Sequence, residues 1–174
     1  GPDPLTNATF DLTFDVKTNA ILDFILNAET VQSAPINLAI KPDSAGQRQL
    51  RLTSKDAGGT LRGLDLFETF RGGTLEMSGQ FVGTPPESYL LSDMSIKDFR
   101  IVNAPILAQL LSLASLTGLP EALSGEGIAF TNADAKLMFK DGNITVQDFK
   151  AFGSTLGITA KGLINREAEQ IDLA

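Results

Sequence analysis

The side chains behind most enzymatic chemistry are missing from this chain, which has no histidine and no cysteine. Without His there is no usual general base, no usual metal ligand and no His-centred triad. Without Cys there are no thiolate nucleophiles, thiolate metal sites or disulfides, although the cell compartment stays open. What remains is a Ser–Lys pair or a pair of carboxylates, drawn from 21 Asp and Glu and 14 Lys and Arg. The acidic residues mostly alternate with apolar ones, as Asp11 and Asp15 do among Phe10, Leu12, Phe14 and Val16. That is the pattern of a solvated strand face, not of a converging acid and base. Ser124-Gly125-Glu126-Gly127 shares only its glycines with a phosphate-cradling loop. It lacks the Lys-Ser/Thr that should follow, and it precedes a strand pattern instead of opening a helix. Asn7-Ala8-Thr9 and Asn143-Ile144-Thr145 match the glycosylation pattern, which is common by chance. The expectation is a non-enzymatic protein with no catalytic residue, cofactor or metal.

The elements that would position any site follow from composition and periodicity. The 174 residues suit one domain with a real core. Eleven Phe, one Tyr and no Trp suit an interior that needs apolar volume without polar handles. The net charge of −7, with scattered basic residues, gives no cationic footprint for nucleic acid or for an anionic membrane surface. No apolar run reaches the roughly 18–20 residues needed to span a bilayer. Gly1-Pro2 reads as the scar of a cleaved tag, so residues 1–4 are set aside as scar and linker. Residues 5–174 read as a single unit with a possible sub-boundary at 83–88. The abrupt start and the strand-like end at Ile171 and Leu173 predict a segment of a longer protein.

Alternation over 9–16 predicts a half-buried strand. Residues 19–28 are apolar but irregular, and fit either a strand or a short helix. Strands are expected around Ile36, Leu38 and Ile40, around Leu50 and Leu52, around Leu75, Met77 and Phe81, and over 89–102. Gly79 within its strand suggests a bend or a close backbone approach. Leu61, Leu64 and Phe67 at three-residue spacing predict a short helix over 60–70, with Thr60 as its N-cap. From Ile128 onward the pattern is a meander, with a hairpin at Asp141-Gly142. A parity switch between Val146 and Phe149 implies a bulge near Asp148. Short strands with turns every 8–12 residues make the class mostly β, a curved antiparallel sheet with one or two short helices packed on it or capping it.

One stretch stands apart. Between Ile101 and Ala135 there is no Lys or Arg, and residues 106–116 form a nearly all-apolar helical pattern behind Pro105. That helix either completes the core or seals one end of an apolar groove. A sheet this long with one apolar face must cover that face, and two short helices are little cover. A sheet folded into a U would carry an apolar trough. The trough could close on itself, pair with another segment, or accept acyl chains.

The run FRIVNAPILAQLLSLASLTGLPEALSGEGIAF, with KDGNITVQDFKAFGSTLGITAKGLIN and IDLA after it and LRLTSKDAGGTLRGLDLFETFRGGTLEMSGQF before it, resembles the C-terminal region of YhdP-type proteins of the AsmA-like superfamily. The resemblance covers residues 50–174 well and the first 49 loosely, and no catalytic motif belongs to it. It implies a Gram-negative periplasmic protein anchored in the inner membrane by a helix outside this chain. It also implies a β-groove that moves phospholipid towards the outer membrane as a bridge-like lipid transfer protein, with a part in outer-membrane biogenesis. The expected partners are phospholipid acyl chains and neighbouring segments of the full-length protein.

On that reading the groove lining is Phe10, Leu12, Phe14, Leu75, Met77, Phe81, Leu137, Phe139, Ile144, Val146 and Ile158. Ile106, Leu107, Leu110 and Leu111 would close one end. An Asp at Leu137 or Phe139 is expected to block lipid passage without unfolding the sheet. The alternative is a scaffold of the cell envelope, with the apolar face filled by the protein itself and strand edges pairing with neighbouring segments.

Overall fold

The computed structural model describes residues 3–18, 20–85, 87–103, 126–154, 156–165 and 170–173. They form one antiparallel sheet of ten strands whose spatial order is the chain order. The strands are β1 (Thr6–Asp15), β2 (Ala20–Glu29), β3 (Pro35–Pro42), β4 (Arg48–Ser54), β5 (Phe70–Val82), β6 (Tyr89–Ile101), β7 (Ile128–Lys140), β8 (Asn143–Phe152), β9 (Gly157–Asn165) and β10 (Gln170–Leu173). One helix, α1 (Ala57–Gly63), lies between β4 and β5. The sheet is curved and open: β1 and β10 each pair on one side only. The class is mostly β, as the alternation predicts.

In the undecided stretch 19–28, residues 20–28 lie in strand β2. Its irregular pattern has a local cause, because the register with β1 slips between Thr13 and Phe14, leaving Leu22 as an extra residue. The predicted bulge near Asp148 is present at Gln147, where the β7–β8 register jumps from Lys136↔Asp148 to Leu137↔Val146. Asp141 and Gly142 both have positive φ, 50° and 75°, as a tight hairpin turn requires. β5 and β6 pair across the turn at 83–88. Gly79 marks a close approach: a Cβ there would lie 2.7 Å from the Leu91 carbonyl oxygen on β6.

The helix differs from expectation. It runs over Ala57–Gly63 instead of 60–70, and its N-cap is Asp56, not Thr60. Asp56 Oδ1 accepts from the Gly59 N–H at 2.9 Å. Thr60 lies inside the helix, its hydroxyl oxygen in hydrogen-bond contact with Ser54 Oγ at 2.7 Å and with the Asp56 carbonyl at 2.8 Å. The three-residue spacing of Leu61, Leu64 and Phe67 still marks the side that packs on the core, but only Leu61 lies in the helix. The predicted helix at 106–116 falls outside the described residues.

The longer connections, at 55–69 and 102–127, are both at one end of the sheet, and short turns close the strands at the other. The main core gathers at the end with the long connections. There Phe70, Phe99 and Phe130 from three adjacent strands stack at 5.2 and 5.3 Å between ring centroids. Gly73 (φ 84°) and Asp98 (φ 53°) break the alternation of β5 and β6, so that Phe70 and Leu75, and likewise Phe99 and Ile96, are buried together.

Candidate functional site: the apolar face of the sheet

Following the register from strand to strand gives continuous rows of side chains. One row runs Phe10–Leu26–Leu38–Leu52–Met77–Met94–Ala135–Phe149–Ala160, apolar across nine strands. The next runs Leu12–Phe24–Ile40–Leu50–Gly79–Ser92–Leu137–Val146–Gly162. A third, Ala28–Ile36–Ser54–Leu75–Ile96–Ala133–Ala151–Ile158, lies towards the helix end. Towards the turn end, Phe81–Leu90–Phe139–Ile144–Ile164 line up on the same face. A half-buried face needs this alternation in every strand, since a one-residue slip would turn a strand's apolar set to the other side.

The register therefore brings ten of the eleven predicted lining residues onto one face, and Phe14, past the β1–β2 slip, joins them by alternation with Phe10 and Leu12. It also adds Leu26, Leu38, Leu52 and Met94 in the middle of the sheet. Alternation marks Leu38 and Leu52 as inward, but their membership of one row is visible only once strand pairing is known. Ile106, Leu107, Leu110 and Leu111 lie outside the described residues. The connection carrying them joins β6 to β7 at the end where α1 sits.

The face is unevenly covered. On β1, Phe10 is 69% exposed, Leu12 51% and Phe14 45%. Over β5–β9, Leu75, Leu137, Ile144 and Val146 are buried, while Met77, Phe81, Phe139 and Ile158 are half-buried. The cover over the middle comes partly from α1 and the residues after it. Ala57 and Leu61 join the core with Leu75, Ile96 and Phe99. Leu66 touches both that core and a second cluster of Ala135, Leu137, Ile144 and Val146.

α1 also reaches the far wall. Arg62 Nε donates to Asp3 Oδ2 at 2.7 Å, and a Cβ on Gly63 would strike the Leu5 side chain. In a flat sheet β1 and β5 would lie about 19 Å apart, four strand spacings. The sheet curls towards its apolar face, and α1 closes one end of the resulting trough by bridging from β5 to the residues before β1. Asp3, set aside as linker on the sequence, is one of these contacts.

The opposite face is polar. Its rows include Thr9–Asn27–Asn37–Thr53–Glu76–Ser95–Asp134–Lys150–Thr159. A shallow recess of about 670 Å³ lies on this side over β4–β8, walled by Arg51, Glu76, Asp93, Lys136 and Lys150 among others. Its charges of opposite sign are interspersed: Lys136 stands opposite Asp93 and Asp148, and Lys150 Nζ lies 3.1 Å from Asp148 Oδ2 on the same strand. This is a solvated face of interspersed opposite charges, not a converging site.

At the turn end two carboxylates organise the loops. Asp43 Oδ1 accepts from the Ala45 and Gln47 N–H groups, both at 2.9 Å. The Gln47 bond chiefly holds the Asp43 pKa below its ordinary value. Asp15 accepts from Thr18 Oγ1 and from the Lys17 N–H, both at 2.8 Å, and the Thr18 bond chiefly lowers its pKa. Among the described residues no helix is long and apolar enough to cross a membrane. No family model, curated protein or solved structure matches the chain.

Proposed function

We propose that this chain is a segment of a lipid-carrying β-groove, periplasmic and part of an inner-membrane-anchored protein that moves phospholipid between the two membranes of a Gram-negative envelope. The observation that carries this reading is the apolar face of the sheet, with one row apolar across nine strands, covered over β5–β8 and bare at Phe10, Leu12 and Phe14 on β1. Acyl chains would lie against the bare wall with their headgroups at the wet opening. Each buried CH₂ contributes ~0.8 kcal/mol, so two chains are held without any specific polar contact, and the conduit has no need of a catalytic group. The membrane assignment rests on the resemblance to YhdP-type proteins.

The test is native mass spectrometry of the purified chain, with extraction and identification of bound lipid, beside the Phe10→Asp/Leu12→Asp variant. Phospholipid on the wild type and its loss from a folded variant is the expected result. Equal lipid on both would sink the assignment of β1 as the carrying wall.

A second reading has its own support. Leu66 and α1 already fill part of the trough, and among the described residues both sheet edges are unpaired, as suits a scaffold that docks neighbouring segments. A wild-type chain that carries no lipid and binds a peptide strand at β1 favours that reading.

A further inference from the structure

Beside the four apolar rows, on the same face, stands a charged side chain. Arg48 alternates with Leu50 and Leu52 on β4 and stands opposite Pro42, which puts it on the apolar face at the turn end, away from α1. Its guanidinium carbon lies 4.4 Å from the centroid of the Phe81 ring. Nη1 donates to the Ile21 carbonyl at 3.0 Å and Nη2 to Ser88 Oγ at 3.1 Å. The side chain is thereby stretched over the mouth of the trough between β2 and the start of β6. No carboxylate among the described residues lies within ion-pair distance of it.

An unpaired cation set into an apolar face is unfavourable unless something offsets its desolvation. The Phe81 ring offsets part of it. The two hydrogen bonds use neutral oxygens and leave guanidinium donors free, in the planar fork that matches phosphate oxygens. In a chain of net charge −7, a guanidinium held on the apolar face at the trough mouth is a selective feature against an otherwise anion-repelling background.

We propose that Arg48 is the phosphate-binding residue of the trough: it takes the phosphate of an amphiphile whose chain lies along the Phe10–Leu12 wall, an inference that rests on the lipid-carrying reading above. Phe81 and the Ile21 and Ser88 oxygens are positioning groups that hold the fork in place. The shared chemistry is a phosphate monoester or diester, so free phosphate and a lipid headgroup must be told apart.

The experiment is calorimetric titration of the chain with decyl phosphate, decanol and inorganic phosphate, the amphiphiles kept below micelle formation. Wild type is compared with Arg48→Gln and Arg48→Lys, both checked for fold by circular dichroism. The expected result is decyl phosphate bound more tightly than decanol, with inorganic phosphate not bound. Arg48→Gln should weaken decyl phosphate about 10- to 100-fold while decanol moves less than about twofold, and Arg48→Lys should fall between because a point charge loses the bidentate geometry. Inorganic phosphate bound as tightly as decyl phosphate would make this a free-anion site and overturn the headgroup assignment. An equal loss of decyl phosphate and decanol in Arg48→Gln would make Arg48 a strut of the trough and overturn it too. Decanol binding with decyl phosphate indifferent to Arg48 would overturn this inference and leave the trough standing. A wild type that binds neither amphiphile would remove both.

Discussion

Asp3 and Arg62, 59 positions apart in the chain, are joined at 2.7 Å across the trough. Arg62 also donates to the Phe70 carbonyl at 2.7 Å, so one side chain ties the residues before β1 to both α1 and β5. The Arg62 side chain is 17% exposed and that of Asp3 39%, which leaves the pair partly screened by water. A double-mutant cycle with Asp3→Asn and Arg62→Gln should return a coupling of about 0.5–1 kcal/mol by urea unfolding. Each single variant should raise hydrogen exchange in α1 and the residues before β1, leaving β6–β8 unchanged. Coupling indistinguishable from zero would mean that Leu5 packing alone holds that end.

Gly58 and Gly59 reverse the usual sign of a helix substitution. In an ordinary helix interior Gly→Ala stabilises by about 1 kcal/mol. Here a Cβ on Gly58 would lie 2.8 Å from the Phe70 carbonyl oxygen, and one on Gly59 would fall on Asp56 Oδ2 and 2.9 Å from Thr30 Cγ2. Both Gly→Ala variants should destabilise by about 2 kcal/mol or more, read as a lower urea midpoint with an unchanged slope. A higher midpoint for either would show that α1 can back away from β5.

Placing Asp at buried and at bare positions on the same face should separate folding from carriage. Leu137 is 8% exposed among Ala135, Ile144 and Val146, so Leu137→Asp buries an unpaired charge and should cost more than about 4 kcal/mol. That changes the outcome expected from the sequence, in which the sheet survives this substitution. Phe10→Asp, at 69% exposure, should shift stability by less than about 1 kcal/mol and weaken decanol binding about tenfold or more. Thermal melts beside the titration decide it, and a Phe10→Asp chain that melts like Leu137→Asp would show that β1 is part of the core.

The trough mouth should loosen in acid before the rest of the sheet. Asp15 and Asp43 have folded pKa values below the ordinary 3.8 because their carboxylates accept turn hydrogen bonds. A depressed pKa means that the unfolded state binds the proton first, so the stabilisation is complete above about 4 and is lost as pH falls through the folded values. Both groups are solvent-exposed, and the effect is local. Amide exchange at Lys17 and Gln47 should rise on acidification, and Asp43→Asn should flatten the response at Gln47 alone. An unchanged response in that variant would place the acid sensitivity elsewhere.

Much of the sheet can be read from single residues. The alternation of Phe10, Leu12 and Phe14, the Asp141-Gly142 turn and the parity break before Phe149 each depend on local backbone geometry. The register depends on partners far along the chain. That Phe10, Met77 and Phe149 share one row follows only from the pairing of nine strands. The start of α1 was masked by its own packing: Gly58 and Gly59 look like a strand-ending turn, but they are glycines because the helix lies backbone-close to β5. The place of Arg48 on the apolar face does follow from alternation with Leu50 and Leu52. Its importance does not, since no single strand reveals that the four rows beside it carry no charge.

The strand order, identical to the chain order from β1 to β10, has a consequence for growth. Every pairing partner is the previous or the next strand, so the chain never threads back past itself, and each hairpin can dock on the last one formed. Such a sheet can assemble from one end as the polypeptide emerges. Its length is also a free parameter: each added hairpin extends the trough by two strand spacings, about 9–10 Å. The distance such a conduit spans is then written in the number of hairpins, and lengthening it requires no redesign of those already in place.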